Sequence, residues 1–483
     1  MSFLYKGISS ENYMVVEKIT RSILPPLSHT VVDVPSRPGV FHQKTVVGAR
    51  TITAQIRIRQ NNVMDLNAMI RAIAQWLYSE SPQKLSLTKE PGRCYLAVLS
   101  GDTDLDEIVT VGKGELTFLC TDPIAYDEVE TLMTITDSPQ TVEIEGTAPT
   151  FPIIKATFNQ DTTYFAYFTA YENEQVILGE AVDEETQTSK NTMVRVFHDP
   201  MQTTTGWAAG GNVIDNGTVT GTMAVGGSEY FTYSSLGSGS NWHGPALKKS
   251  LTTPIDNFRV EAWMKLKTSK NVKEQARVEV ILLDVNSNVI GKLSMRDSYT
   301  TKRGVKAVLR IGPDDNAYYL INGEGKKSGY WNDFYGKLRL EKKGKWWYAY
   351  VGVLEPNGKY TKTWNAKYYD KSNKWTADLA QVVVTVNGYG TSPVPTPDNL
   401  FVSSIQIFST STLATQEVPV IASAGDVIEI NHLTKEVLLN GEDYREVLDP
   451  SSNLFALSNG ATDLGFEPFD AAAIELSYQG RWK

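Results

Sequence analysis

Between residues 199 and 412 the chain holds eight of its ten tryptophans and several runs in which apolar and polar residues alternate. Side chains in a β-strand point to opposite faces with a period of two, so strict alternation predicts a strand with one buried face. Residues 258–267 show it most cleanly. Phe258, Val260, Ala262, Met264 and Leu266 fall on one side, and Arg259, Glu261, Trp263, Lys265 and Lys267 on the other. The runs 276–283 and 289–293 flank a polar turn at 284–288, and 337–341 and 346–353 flank a Lys/Gly turn. Short strands with polar turns and no helical pattern predict a β-sandwich or jelly roll for this block.

A chain of 483 residues is too long for one hydrophobic core, so the block has neighbours that fold apart from it. Residues 50–59 alternate, and a helical stripe of Leu66, Met69, Ile70, Ile73 and Leu77 follows, with Asn62 placed to cap it and Ser81-Pro82 to end it. Strands are predicted at 84–87, 94–99 and 114–120, which makes residues 1–128 an α+β domain. Residues 129–198 carry β-type runs at 141–144, 153–158 and 164–169, then an acidic, Thr-rich stretch. Residues 413–483 return to that character, with a hairpin over 425–439 and a closing strand at 473–478. If 199–412 is a domain of its own, 129–198 and 413–483 are the two parts of one split domain, an arrangement tolerated where the host has an exposed loop tip.

The bulk numbers exclude several classes. A hydrophobic share of 41% with 21% charge is that of folded protein rather than disordered chain. A net charge of −9 opposes sequence-independent binding to nucleic acid, and the basic run Lys342–Lys345 reads as a solvated hairpin turn. Two cysteines, Cys94 and Cys120, suffice for one bridge at most, and two buried free thiols is the preferred reading. The N-terminus lacks an apolar run of signal-peptide length, and no stretch approaches the roughly 18 apolar residues of a membrane span. Synthesis and folding in the cytoplasm, with no membrane partner, is the expectation.

Catalytic signatures are absent. The histidines at 29, 42, 198, 243 and 432 form no HExxH pair, and 325–328 resembles a phosphate loop but has Leu320 where its upstream glycine belongs. No G-x-S-x-G elbow occurs, and the E-x-D-x-x-E pattern of jelly-roll glycosidases is missing. A carboxylate pair assembled from distant strands, about 5 Å apart, stays open. Asp102, Asp104 and Asp106 have the first spacings of a calcium loop, but Glu107 and Lys113 stand where glycine and glutamate are required, so an exposed acidic turn is the plainer reading. No catalytic residue, metal or cofactor is assigned.

What remains is the set of aromatic residues. Trp263 lies on the polar side of its strand, while Trp242-His243 and the run Trp331, Asn332, Asp333, Phe334, Tyr335 fall in predicted loops. Flat rings beside Asn, Asp and His suit saccharides, whose C–H faces stack on π surfaces while polar groups hold the hydroxyls. Trp242, His243, Trp263, Trp331, Asn332, Asp333 and Tyr335 are therefore the candidate site. The competing reading places most of these rings in the core, as in other sandwiches. Trp263 is the exception, because its neighbours face water.

The outer segments resemble the distal tail proteins of long-tailed, non-contractile phages. The likeness is carried by Val34-Pro35-Ser36-Arg37-Pro38-Gly39-Val40-Phe41, by the strand 52–58, and by Gln75-Trp76-Leu77 ahead of Lys84-Leu85-Ser86-Leu87. It continues in Tyr95-Leu96-Ala97-Val98, in the run from Gly114 to Pro123, in 425–430 and 437–442, and in the closing Ser477-Tyr478 and Arg481-Trp482. The resemblance implies a mainly β chain: an α+β ring-forming N-terminal domain, then a galectin-like β-sandwich split by an inserted jelly roll. It implies a homo-hexameric hub of the virion tail tip, joining the tail tube protein to a tail-associated hub or fibre protein, with no catalytic residues to transfer. Enlarged members carry inserts resembling carbohydrate-binding modules, so 199–412 is expected to bind host cell-wall saccharide. The alternatives for the insert are a cell-wall glycoside hydrolase and a purely architectural spacer.

Overall fold

A computed structural model of the chain describes residues 1–33, 35, 38–58, 66–101, 113–171, 174–211, 215–269 and 271–483. The acidic run 102–106 and the expected helix cap at Asn62 lie outside them. The chain divides into two compact units, Met1–Gly179 with Ala422–Leu438 and Tyr444–Lys483, and Glu180–Ile421 with Leu439–Asp443.

The N-terminal part of the first unit is a nine-stranded sheet whose main path runs Ile8–Ser9, Phe3–Tyr5, Gln83–Leu87, Arg93–Ser100, Lys113–Cys120, Arg50–Ile58, Met14–Arg21. Along Arg50–Ile58 the residues Ile52, Ala54, Ile56 and Ile58 are buried, as the alternation requires. The helix Leu66–Leu77 contributes Ile73, Trp76 and Leu77 to the core against this sheet. The Trp76 indole donates to the carbonyl of Tyr5 at 2.9 Å, which gives the buried N–H its acceptor. The end of the chain returns here: Arg481–Trp482 pairs with Ala125–Asp127, and the Trp482 indole donates to Asp127 at 3.0 Å.

The rest of the first unit is a sandwich in which strands from the two distant segments interleave. One sheet has the order Thr131–Ile135, Ala472–Tyr478, Ile153–Phe158, Val427–Asn431, Glu436–Leu439, and the other Gln140–Ile144, Gly460–Glu467, Tyr164–Thr169, Gln175–Gly179. Ile153–Phe158 thus lies between two strands that enter the sequence after residue 421. Ile154, Ala156, Phe165, Val176, Ile430 and Leu476 are among its fully buried residues.

The second unit is a two-sheet sandwich. Its eight-stranded sheet runs Thr222–Gly226, Tyr230–Ser235, Leu400–Thr410, Phe258–Leu266, Phe334–Lys343, Trp346–Leu354, Tyr360–Tyr369, with Met193–Asp199 also paired to Leu400–Thr410. The nine-stranded sheet has the path Ala208–Ala209, Ala246–Ile255, Leu379–Tyr389, Ala276–Leu283, Val289–Asp297, Lys306–Ile311, Tyr318–Gly323. Val260, Ala262, Met264, Leu338 and Leu340 from the first sheet share one core with Val278, Val280, Leu293, Val382 and Val384 from the second. Each of the Val, Leu and Met side chains contributes about 1.5–3 kcal/mol on leaving water. The far side of the nine-stranded sheet is also buried, and charged: Arg277, Glu279, Lys292 and Arg310 lie beneath Asp215 and Trp242.

Composition changes near residue 199, whereas the compact unit takes in Glu180–Ile421 with Leu439–Asp443. Backbone pairing is the reason. Met193–Asp199 hydrogen-bonds to Leu400–Thr410, and Thr188–Lys190 pairs in parallel with Glu417–Pro419, where Lys190 meets Glu417 at 2.7 Å. Composition cannot register such pairing.

Candidate functional site

The outward face of the eight-stranded sheet carries the most concentrated set of aromatic residues not used by the core. Because Ala262, Met264 and Leu266 face inward, Trp263 and Lys265 between them face outward. The register sets Trp263 beside Lys337 and Ser404, and Lys265 between Tyr335 and Phe401. Tyr230, from the next strand, stacks on Phe401 with ring centres 4.0 Å apart and planes 19° from parallel. The Tyr335 ring lies 6.1 Å from Phe401. Tyr230, Trp263, Tyr335 and Phe401, together with Glu229, Leu354, Ser403, Ser404 and Gln406, line a shallow groove of about 430 Å³.

Most of the rings are held in place. The Trp263 indole donates to the Tyr360 hydroxyl at 2.7 Å, and the Lys337 ammonium sits 5.2 Å from the Trp263 ring centre, within cation–π range. The Tyr230 hydroxyl donates to Asp398 at 2.6 Å, and that bond pushes the phenol up to about 12, so it stays protonated. Lys265 lies 5.4 Å from the Phe401 ring centre. Fixed rings bordered by Ser404 and Gln406 form a platform that loses little freedom on binding.

One outward position along the same strand is a buried carboxylate, Glu261. Burial alone would push its pKa up, but Lys337 at 3.3 Å, Arg339 at 3.5 Å and Arg259 at 4.0 Å hold it below the ordinary range. A carboxylate kept ionised in this way is a poor general acid. Among the described residues no group of three or more His, Cys, Asp or Glu is placed to hold a metal ion. No helix among them is long and apolar enough to cross a membrane.

Of the seven residues singled out from sequence, Trp263 and Tyr335 come together in this groove. Trp331 does not. It is 0% exposed, packed in the core against Tyr330 and Phe334, and this corrects its assignment to a surface site. His243 is buried as well, with Nδ1 facing the carbonyl of Asn241 at 2.9 Å. Trp242 lies on the other sheet, its ring 5.1 Å from Tyr389 and 4.9 Å from the Arg277 guanidinium. Asn332 accepts from the backbone N–H of Val305, and Asp333 pairs with Arg303 at 2.7 Å, so both fasten their own loop. Tyr230 and Phe401 were not anticipated. The signal existed, since Phe401 stands between the inward residues Leu400 and Val402 as Trp263 stands between Ala262 and Met264.

Comparison with known proteins agrees with the outer segments. Residues 6–120 match the family model described as phage tail protein RIFT-related domain, and residues 392–482 match siphovirus-type tail component, C-terminal domain. Both outer segments therefore match phage tail protein domains. In this order at the two ends of the chain, the two matches are those expected of a distal tail protein. Among solved structures, the Dit protein of phage SPP1, described as a paradigm of hub adsorption apparatus in phages infecting Gram-positive hosts, is 18% identical. That match covers 37% of this chain and 74% of that one, with a TM-score of 0.32. The CBM2 module of the evolved Dit of Lactobacillus casei BL23 phage J-1 is 12% identical over 47% of this chain and 99% of that one, with a TM-score of 0.39. An alginate lyase from Klebsiella pneumoniae is 9% identical over 40% and 85% of the two chains, with a TM-score of 0.26. No curated protein matches the chain in sequence.

Proposed function

We propose that the protein is a non-enzymatic, hexameric hub of the phage tail tip, positioned between the tail tube and the adsorption apparatus of the virion. The observation that carries this reading is the ribbon formed by Leu27–Asp33 and Val40–Val47. Every residue of both strands is exposed, including Leu27, Val31, Val32, Val40, Phe41, Val46 and Val47. An isolated two-stranded hairpin is marginal in water, and an apolar one needs a cover. A neighbouring copy supplies that cover in a ring closed by identical heterologous contacts. Mass measurement in solution over a concentration series tests this. A species of hexamer mass is expected, and a monomer persisting at the highest concentration, both alone and with tail tube protein added, refutes the ring.

The second unit is read as a binding module for host cell-wall saccharide, supported by the groove at Trp263, Tyr335, Phe401 and Tyr230. Weak single sites gain avidity when copies on one ring engage together. Retention of the full chain on purified cell walls, lost in Trp263→Ala, is the expected result. Glu261, held ionised among three cations, favours binding over hydrolysis. Reducing-sugar release from the same walls would reverse that preference.

A further inference from the structure

The strand Trp346–Leu354 carries aromatic residues on both of its faces. Trp347, Ala349 and Val351 point into the core, so Trp346, Tyr348 and Tyr350 point outward. Tyr350 is buried, with the Arg339 guanidinium 4.8 Å from its ring centre. At the other end of the strand the rings are open. Trp346 is 39% exposed, and its cross-strand partner Tyr369 is 46% exposed. The Trp346 ring centre lies 4.9 Å from that of Tyr369 and 6.2 Å from that of the half-buried Tyr348, whose plane is turned by 27°. Neither the indole N–H nor the two phenol hydroxyls hydrogen-bond to another described residue.

Lysines rim these rings. The register sets Lys343 beside Trp346, and Lys367 beside Tyr348 with its ammonium 5.6 Å from the Trp346 ring centre. The backbone N–H of Asp370 donates to the carbonyl of Lys345 at 2.8 Å, which holds the turns carrying Lys345 and Lys371 together at this end of the sheet. Lys345, Lys367 and Lys371 are exposed, and no described carboxylate pairs with any of them. The acids at this end are already engaged. Glu341 is buried between Arg259 at 2.9 Å and Lys343 at 3.0 Å, and Asp256 pairs with Lys342. The buried Asp370 accepts from the backbone N–H of Trp375 at 2.9 Å. A chain of net charge −9 thus gathers unpaired cations around exposed aromatic surface.

We propose that this platform is a second binding site, for a phosphodiester-linked glycan of the host cell wall. The rings offer flat apolar surface to sugar C–H faces, their free N–H and O–H groups meet sugar oxygens, and the lysines meet the phosphates. Phosphate is favoured over uronate because the unpaired cations are all lysines. An ammonium is a point charge that serves a tetrahedral anion from any side, whereas a planar carboxylate matches the fork of arginine. Nucleic acid also combines phosphates with flat rings, but the net charge of −9 opposes it. The platform stands apart from the groove on the same face. Trp346 is level with Lys343 and Trp263 with Lys337, which separates them by roughly 20 Å along the strands. The ion cluster of Glu261, Lys337, Arg339 and Glu442 lies between. The inference rests on the reading of the second unit as a saccharide-binding module and names the charge class of the ligand.

The test uses the full chain labelled with 5-fluorotryptophan, titrated separately with glucosylated poly(glycerol phosphate), polygalacturonate, dextran and single-stranded DNA. Trp346→Phe and Trp263→Phe assign the two fluorine resonances. The phosphate polymer is expected to shift the Trp346 resonance saturably, with a midpoint that rises with salt. Replacing Lys345, Lys367 and Lys371 together by alanine should raise that midpoint roughly tenfold, with the circular dichroism spectrum unchanged. A Trp346 resonance unmoved by the phosphate polymer overturns the site, and so does a midpoint indifferent to the three lysines. An equal or tighter response to polygalacturonate, dextran or DNA overturns the assignment to phosphodiester glycan. Movement of Trp263 while Trp346 stays still sinks this site and leaves the proposed function intact. Movement of Trp346 alone sustains this site and counts against the groove.

Discussion

The hydroxyl of Tyr167 donates to Nε2 of His432 at 2.6 Å, joining residues that stand 265 positions apart on either side of the inserted unit. The other ring nitrogen, Nδ1, meets the carbonyl of Phe455 at 2.7 Å. A carbonyl only accepts, so Nδ1 carries the proton and Nε2 is free to accept from the tyrosine. Both side chains are buried where the two segments of the split sandwich meet. Tyr167→Phe leaves Nε2 buried without a donor, at a cost of about 1–3 kcal/mol. Hydrogen exchange in the strand Ile153–Phe158 should accelerate accordingly, with exchange in the inserted sandwich unchanged.

Burial also pushes the His432 imidazole down from 6.5 to about 4. The unfolded chain takes up a proton below pH 6.5 that the folded one refuses until about pH 4, so stability is complete above this window and lost as pH falls through it. The loss approaches roughly 3 kcal/mol at the lower end. In the inserted unit the direction is that of a carboxylate. Burial would raise Glu279, but Arg277 and Lys292 hold it down at about 2, so its contribution is present above 4.5 and lost only as pH falls toward 2. Acid is therefore expected to loosen the split sandwich before the insert. Between pH 6 and 4, hydrogen exchange at 153–158 should rise while tryptophan fluorescence, eight parts in ten from 199–412, holds steady. Simultaneous loss of both signals would contradict this.

Trp331 and Trp263 should part company under mutation. Trp331→Ala opens a cavity in a dry core and is expected to cost about 3–5 kcal/mol, seen as a lower denaturation midpoint. Trp263→Ala removes a half-buried ring from the outward face. Its main effect should be loss of retention on cell walls, with a smaller change in midpoint.

The apolar ribbon offers a charge test. Val40→Asp and Val47→Asp alter residues 59% and 53% exposed, so the single chain has little packing to lose there. Solution mass should fall from that of the ring to that of one chain, with the circular dichroism spectrum unchanged.

Cys94 and Cys120 are free and buried, and burial pushes the Cys120 thiol up to about 11. Thiolate is the reactive form, so neither residue should react with a thiol reagent at pH 8 in native protein. Both should react on unfolding.

Much of the fold was legible before any coordinates. The alternation of 258–267 is present in the strand Phe258–Leu266 with every inward residue as expected, and the apolar stripe at Ile73 and Leu77 packs as one face of the helix Leu66–Leu77. The same alternation marks Trp263 as outward, and Phe401, between the inward Leu400 and Val402, carries an equal signal.

The sequence by itself determined which side of each strand faces the core, because a period of two is a local property that any few residues express. It also carried, in motifs at its two ends, the likeness to phage tail protein domains that the family models match. Only the tertiary structure decided that Trp331 points inward, that the inserted unit starts at Glu180, and that His432 answers Tyr167. Loops have no period, and the burial of a loop ring or the pairing of a strand depends on partners hundreds of residues away, which neighbours in sequence do not encode.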